Sequence, residues 1–411
     1  MPGTDIGQSL CEHIFTDEFF SKHWEKEPLH YRPSKDTKGP NLLTEGLSPD
    51  DVQEIIERGP AKMFKDCESY DNDNFAVGYL KGASIVVNQA DRYNKLVLDM
   101  CRALADAHFH HVFAVLYLTP RNSQAVRVHT DDQDVFLLQV WGRKHWTLRN
   151  SPVKLPYTEE MLGKGSPVPQ ALVGDPTMSF TMEPGDVLYI PRGYLHEATT
   201  SAEPSLHITV TVPTSDYCWG VQLARSLTET IHSKQKMPEE LHRLCSTPMV
   251  GIRHGRGANA GKDDDAVSTQ LQETMRTWLA QLDATDVISA FQARMAKTNE
   301  AQHRSLSANL SKRTPPRVTE RCRVRLMYGV KCTCKEWSKL AIFESVDSSN
   351  RLELPIASSC MPMMAALTSK PQFVTDLPTS DRFERLCMLQ LLLMHGVLQL
   401  FTADQPESGS A

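Results

Sequence analysis

The chain has 411 residues, a formal net charge of −6 and 23% charged residues, an ordinary composition for two or three globular domains and no global footprint for nucleic acid. No apolar run approaches the ~20 residues of a membrane span, and the opening MPGTDIGQSLCEH lacks the basic and apolar regions of a secretory signal. The 10 cysteines are scattered without a dense pattern, so reduced thiols are expected, in an intracellular protein of the nucleus, nucleolus or cytoplasm.

Residues 1 to about 110 mix helix and strand signals. Phe15, Phe19, Phe20 and Trp24 fall at helical spacing and predict a short amphipathic helix that Pro28 ends. Ser84 to Val87 reads as a strand, and Tyr93 to Ala107 as a helix with an apolar face from Leu96 to Leu104. From Phe113 to Pro213 the pattern changes to short β-rich runs: FAVLYLT, VFLLQV, KHWTL, MSFTM, DVLYIP and SLHITVTV. Trp141-Gly142-Arg143 and Glu183-Pro184-Gly185-Asp186 are expected to turn hairpins between them. Many short strands with Gly/Pro turns suggest a sandwich or barrel of the jelly-roll or cupin kind.

Residues 214–304 switch to helix. Trp219, Val221, Leu223, Leu227 and Ile231 form one stripe, and Met275, Trp278, Leu279, Leu282 and Val287 another. Between them a Gly- and charge-rich segment, 251–268, is expected to be a flexible loop. SLSANLSKRTPPR (305–317) reads as a linker. Beyond it, strands are expected at Val324–Tyr328 and Leu340–Phe343, a helix over Phe383–Leu400, and a disordered tail from Ala403. The expected fold class is therefore α+β: a barrel within 1–213, a helical region over 214–304 and a small α+β domain over 305–411.

Two half-motifs carry the chemistry. Side chains at i and i+2 of a strand share a face, so His129 and Asp131 can converge on one ion. The run Gly185, Pro191, Gly193, His196 has the spacing G-x5-P-x-G-x2-H found in cupin barrels, and His196 would close the triangle. Two His and one carboxylate with open positions is the facial triad of non-haem Fe(II) oxygenases. Lys144, on a barrel strand, needs an anion if it points inward. A dicarboxylate cosubstrate would supply it, with Tyr117 and Thr209 as further hydrogen-bond partners. Arg321, Arg323, Arg325 and Lys331 make a modest basic patch, more often a solvated strand face than a nucleic-acid footprint. Cys332 and Cys334 have no second Cys pair at metal spacing and read as structural.

YLTPRNSQAVRVHTDDQDVFLLQVWGRKHWTL, MEPGDVLYIPRGYLHEAT and SLHITVTV resemble the JmjC-type ribosomal oxygenases, 2-oxoglutarate- and Fe(II)-dependent protein hydroxylases. FFSKHWEKEPLHYRP is similar to the opening segment of that family. The resemblance implies a JmjC double-stranded β-helix barrel, a helical dimerisation region and a C-terminal winged helix. It implies Fe(II) on His129, Asp131 and His196. It also implies 2-oxoglutarate with its distal carboxylate on Lys144 and Tyr117 and its other end near Thr209, and O2 as co-reactant. The implied target is a histidine or arginine of a ribosomal protein. The implied partners are that protein substrate, a second copy of the chain, and nucleic acid through the winged helix. Two positions depart from the pattern: Val115 stands where the family has an Asn, and Val86 where it has a Gln. Two other readings stay open, an N-methyl-lysine demethylase acting on histones by the same oxidation, and a catalytically silent cupin scaffold that binds nucleic acid or protein.

Overall fold

The computed structural model describes residues 2–34, 43–232, 238–245, 262–314, 316–335, 339–345, 351–356 and 358–401. It divides into two compact units, one of residues 1–213 with 300–411 and one of residues 214–299.

The first unit opens with helices α1 (Pro2–His13) and α2 (Asp17–Lys22). Thr16 caps α2 by accepting from the Phe19 amide at 3.3 Å, so the helix is shorter than the aromatic spacing predicts. Phe15 lies ahead of the cap, Trp24 lies beyond the last turn, and the helix ends at His23 rather than at Pro28. The rings serve as core instead. Phe15 meets Phe109 and Phe136 edge-on at 5.1 and 4.8 Å, and Phe19 meets Tyr189 at 5.0 Å. Next come α3 (Pro49–Arg58), closed by a capping box between Ser48 and Asp51, then α4 (Phe75–Leu80) and α5 (Lys95–Leu104).

Eleven strands build the barrel: β1 (Leu29–Tyr31), β2 (Ala61–Lys65), β3 (Glu68–Ser69), β4 (Ser84–Val87), β5 (Phe113–Thr119), β6 (Asp134–Gly142), β7 (Lys144–Arg149), β8 (Pro176–Met182), β9 (Val187–Ile190), β10 (Leu195–Thr199) and β11 (Ser205–Val212). Eight of them form one sheet in the order β1-β9-β6-β11-β5-β4-β2-β3, and three form a second in the order β10-β7-β8. Neither expected hairpin forms. β6 and β7 lie in different sheets, and so do β8 and β9, so 141–143 and 183–186 are corners where the chain changes sheet. The reason is burial. Val135, Leu137, Leu188 and Ile190 from the large sheet meet Trp146, Leu148, Met182 and Ala198 from the small one, and alternate strands must cross over to cover that layer from both sides.

After the second unit the chain returns in helix α9 (Ala284–Leu310), whose last turns dock on the first unit. Gln302 donates to the Asp91 carboxylate at 2.7 Å and Asn309 to the Arg92 carbonyl at 3.1 Å, with Leu306 buried between them. The expected linker therefore begins as helix, and the 304/305 boundary falls inside α9. Three strands follow as a sheet in the order β16 (Gln372–Phe373), β12 (Arg323–Leu326), β17 (Leu398–Phe401), and three more as β13 (Val330–Lys335), β14 (Leu340–Ser345) and β15 (Arg351–Pro355). Helices α10 (Met361–Ala366) and α11 (Arg382–Met394) pack with them. The predicted helix to Leu400 stops at Met394, because Gly396 adopts a positive φ of 69° and the chain turns back into β17. Asp381 caps α11 and accepts a hydrogen bond from the buried Tyr79 hydroxyl at 3.0 Å.

The second unit is helical: α6 (Trp219–His232), α7 (Glu239–Cys245), α8 (Lys262–Leu279) and the first turns of α9. Tyr217 packs edge-on to Phe291 at 5.2 Å. Of the expected flexible loop, residues 251–261 lie outside the described residues. From Lys262 the chain is helix, consistent with a stretch that holds no Gly or Pro as far as Leu279. The expected disordered tail also lies outside the described residues.

The Gly142 corner is the tightest. Its φ is 62°, and a Cβ there would stand 1.7 Å from the Pro204 carbonyl oxygen. Gly142→Ala should cost about 2 kcal/mol or more, by strain and by displacing the strand beside it. Thermal or urea denaturation checks this, and a melting curve identical to wild type would show that the corner relaxes freely.

Candidate metal centre

His129 lies in an isolated bridge rather than on the expected strand. It is paired antiparallel with His196, the second residue of β10. The two exchange backbone hydrogen bonds, His129 amide to His196 carbonyl at 3.2 Å and the reverse at 3.0 Å. Directly opposed residues share a face, so the imidazoles stand 4.3 Å apart, centre to centre. Asp131 follows in the loop, and one donor atom from each of the three residues lies within 4.8 Å of the others. It is the one such cluster found among the described residues.

The tautomers follow from the neighbours. Each ring places Nδ1 against a backbone carbonyl, Arg127 at 2.8 Å for His129 and Tyr194 at 3.0 Å for His196. A carbonyl only accepts, so Nδ1 carries the hydrogen and the Nε2 lone pair is left facing Asp131. The Nε2 atoms stand 3.9 and 3.5 Å from the Asp131 oxygens, a gap that fits a cation held by all three. Burial, with His196 and Lys164 adding to it, pushes the His129 imidazole down to about 3, which keeps it a neutral donor. Burial works against the Asp131 charge, yet Lys164 and the two imidazoles hold its carboxyl well below the usual range.

A second set of polar groups lines the same pocket. Lys144, the first residue of β7, is buried and donates to the Thr119 hydroxyl at 3.0 Å, with its ammonium 5.7 Å from the Trp146 ring centre. Burial pushes its pKa down to about 7. Thr209 on β11 lies on the pocket side, and its hydroxyl has no hydrogen-bond partner. The same holds for His207 Nδ1 and the Trp146 indole nitrogen. Tyr117 stacks on His207 at 4.9 Å and 7°, as the Cα register of β5 and β11 requires. Burial, helped by Lys144, holds His207 well below the usual imidazole range and so neutral. A buried ammonium with orphaned hydrogen-bonding groups about it has the chemistry that suits an anion.

All the sequence-predicted residues, His129, Asp131, His196, Lys144, Tyr117 and Thr209, line this one pocket. Sequence reasoning missed His207, Trp146 and Lys164. His207 and Trp146 each stand two residues along a strand from a chosen residue, so strand alternation applied to those runs finds them. Lys164 carried no periodic signal. It sits beyond β7 in a loop laced to the metal-ligand segment: the Thr130 amide donates to the Leu162 carbonyl at 3.0 Å, and the Leu162 amide to the Thr130 hydroxyl at 2.9 Å. Gly163 allows this approach, since a Cβ there would stand 2.4 Å from the Val128 carbonyl oxygen. Lys164 Nζ then meets Asp131 Oδ1 at 2.6 Å.

Three outcomes are expected in solution. Asp131→Ala and His196→Ala should each abolish the binding of Co(II) followed by its visible absorption spectrum. Lys164→Met removes a like charge beside the ion and should tighten that binding. Lys144 gives the pH dependence. Its bare ammonium is half lost near pH 7, and a bound carboxylate restores it. Anion binding should therefore take up protons above pH 7, and affinity should weaken as pH rises through that value. Calorimetry in buffers of different ionisation enthalpy measures the uptake, and a pH-independent affinity would show that Lys144 does not face the anion.

Comparison with known proteins accords with this geometry. Residues 88–218 match the family described as JmjC domain. A bifunctional lysine-specific demethylase and histidyl-hydroxylase NO66 from Aedes aegypti is 27% identical over 92% of this chain and 66% of its own length. The protein of the same description from Dictyostelium discoideum is 36% identical over 37% of this chain and 29% of its own. The chain spans between 48% and 66% of the length of the two curated relatives that align over most of it. Among solved structures, the ribosomal oxygenase YcfD from Escherichia coli with cobalt and 2-oxoglutarate covers 93% of this chain and 97% of its own at 15% identity, with a TM-score of 0.45. Residues 88–218 therefore carry a JmjC domain, and the chain is similar over most of its length to the bifunctional demethylases and histidyl-hydroxylases NO66.

Proposed function

We propose that the chain is an Fe(II)- and 2-oxoglutarate-dependent oxygenase that hydroxylates a protein side chain, a histidine or arginine of a ribosomal protein. One observation carries the reading. Two Nε2 lone pairs and a carboxylate converge beside a buried ammonium with orphaned hydrogen-bonding groups, all in one pocket. His129, Asp131 and His196 hold the iron. Lys144 and Tyr117 take the distal carboxylate of 2-oxoglutarate, with Thr209 nearer its other end. The iron, with 2-oxoglutarate and O2, supplies the oxidising power that puts one oxygen atom into a C–H bond and leaves succinate and carbon dioxide. The chain's own residues place the reactants. The carbonyls of Arg127 and Tyr194 fix the imidazole tautomers, Trp146, Val135 and Leu137 exclude water, and Lys144 neutralises the cosubstrate.

The target position is set around Tyr117. Val86 pairs with Tyr117 across β4 and β5, and Val115 lies two residues before it on the same face. Both are buried and offer no hydrogen bond to a polar target, whereas a site built from amides would discriminate by them. The demethylase reading shares all the chemistry and stands second, supported by the double description of the relatives.

The domain reading is a catalytic barrel in 1–213, a helical homodimerisation region that starts at 214 and ends within α9 rather than at 304, and a winged-helix-like domain with nucleic-acid contact in the remainder to 411. Exposed Trp219, Met275, Leu279 and Ile288 on the second unit support the dimer. The setting is the nucleus, nucleolus or cytoplasm. No helix among the described residues is long and apolar enough to cross a membrane.

The test is to incubate the protein with Fe(II), ascorbate, 2-oxoglutarate and panels of ribosomal-protein and histone peptides, and to read peptide mass and succinate. One added oxygen on a ribosomal peptide is expected. Loss of a methyl from a histone peptide would move the chain to the demethylase reading. Absence of both products and of succinate would overturn the oxygenase reading.

A further inference from the structure

Two arginines of the basic patch noted in the sequence, Arg323 and Arg325, lie on the sheet formed by β16, β12 and β17 and are interleaved with aromatic rings, whereas Lys331 belongs to β13 in the other sheet and Arg321 precedes β12. On β12, Val324 and Leu326 face the core while Arg323 and Arg325 face outward. Arg323 stands opposite Phe373 of β16 on one side and Phe401 of β17 on the other, and Arg325 stands opposite Gln399. Opposed residues share a face, so the outer surface carries a row of phenyl, guanidinium and phenyl, and beside it a row of guanidinium and amide. The Arg323 guanidinium lies 5.9 Å from the Phe373 ring centre and that of Arg325 lies 5.1 Å from the Phe401 ring centre. Arg325 also donates to the Gln399 side-chain oxygen at 2.9 Å. Phe373 is 51% exposed, a large share for a phenyl ring on a sheet. The acid Glu320 is already held by Arg382 and Arg385, and Asp376, three residues beyond Phe373, is an exposed acid near the face in sequence.

We propose that this face binds single-stranded RNA. Flat rings spaced across neighbouring strands offer stacking surfaces for unpaired bases, and guanidinium groups between them offer both stacking and phosphate contact. The two phenyl rings sit two strands apart, about 10 Å by ordinary strand spacing, so each can take a different base. A duplex presents its bases stacked and inaccessible to such a face. The choice of RNA among single-stranded nucleic acids rests on the ribosomal-protein reading of the active site. The binding itself does not depend on iron or turnover.

The test is fluorescence anisotropy of the full chain with a labelled 12-nucleotide uridine-rich RNA, the same sequence as DNA, and an RNA duplex. The single-stranded RNA should bind most tightly, with affinity falling as salt rises. Phe373→Ala should weaken binding about tenfold, as expected for one lost stacking base. Arg323→Met should weaken it and flatten the salt dependence by roughly one phosphate contact. Thermal melts of both variants confirm folding, and Arg325→Lys keeps charge where a variant does not fold. Failure of every nucleic acid to bind overturns the proposal. So do equal or tighter binding of the duplex or the DNA, and indifference of RNA affinity to Phe373→Ala and Arg323→Met. Peptide hydroxylation is measured on the same variants. RNA binding without any turnover would sink the oxygenase reading and leave the surface, and turnover without RNA binding would do the opposite.

Discussion

The pair of backbone hydrogen bonds between His129 and His196 is the constraint on which the site depends. It joins the loop after β5 to a strand of the small sheet and fixes the two imidazoles 4.3 Å apart, their planes tilted by 56°, before any ion arrives. The carbonyls of Arg127 and Tyr194 then choose the tautomer, so that both rings present a lone pair and neither presents a hydrogen. Were either ring to flip its hydrogen, the same geometry would repel a cation. The second contribution is charge. Asp131 supplies the anion, and burial stops His129 from competing for a proton.

The Lys144 end of the pocket follows the opposite logic. Lys144 is buried with one hydroxyl for company, and the groups around it, His207, Thr209 and Trp146, hold unsatisfied polar atoms. Each of these costs stability in the free protein. A fold keeps such groups when a ligand satisfies them together. The three metal-ligand candidates have their backbone and Nδ1 hydrogen bonds made, whereas the Lys144 end leaves polar atoms of His207, Thr209 and Trp146 unsatisfied.

Much of this was legible in the chain. The strands Ser84–Val87, Phe113–Thr119 and Ser205–Val212 have the expected bounds, because apolar runs between turn residues leave few alternatives. The His129, Asp131 and His196 set was also legible, through spacing. What the residues did not disclose is where chains change partner. Trp141-Gly142-Arg143 looks the same whether it folds a strand back on its neighbour or carries it to another sheet, and only the burial of Val135, Leu137, Trp146 and Leu148 together decides. The segment 305–310 was misread because its Ser and Asn residues look like a linker, while its helix is held by tertiary contacts of Gln302 and Asn309. Lys164 depends on Gly163 approaching the His129 backbone, a contact no local pattern encodes.

The crossing of the two sheets at the metal centre has a mechanical consequence. His129 and Asp131 hang from the large sheet's connection and His196 belongs to the small sheet. An ion bound by all three is therefore a staple across the open edge of the sandwich, closing a chain loop that runs from 129 to 196. Whatever binds the folded state and not the unfolded one raises stability in proportion to the logarithm of its concentration. With an ion held by all three residues, the unfolding temperature would rise with free metal and fall on chelation.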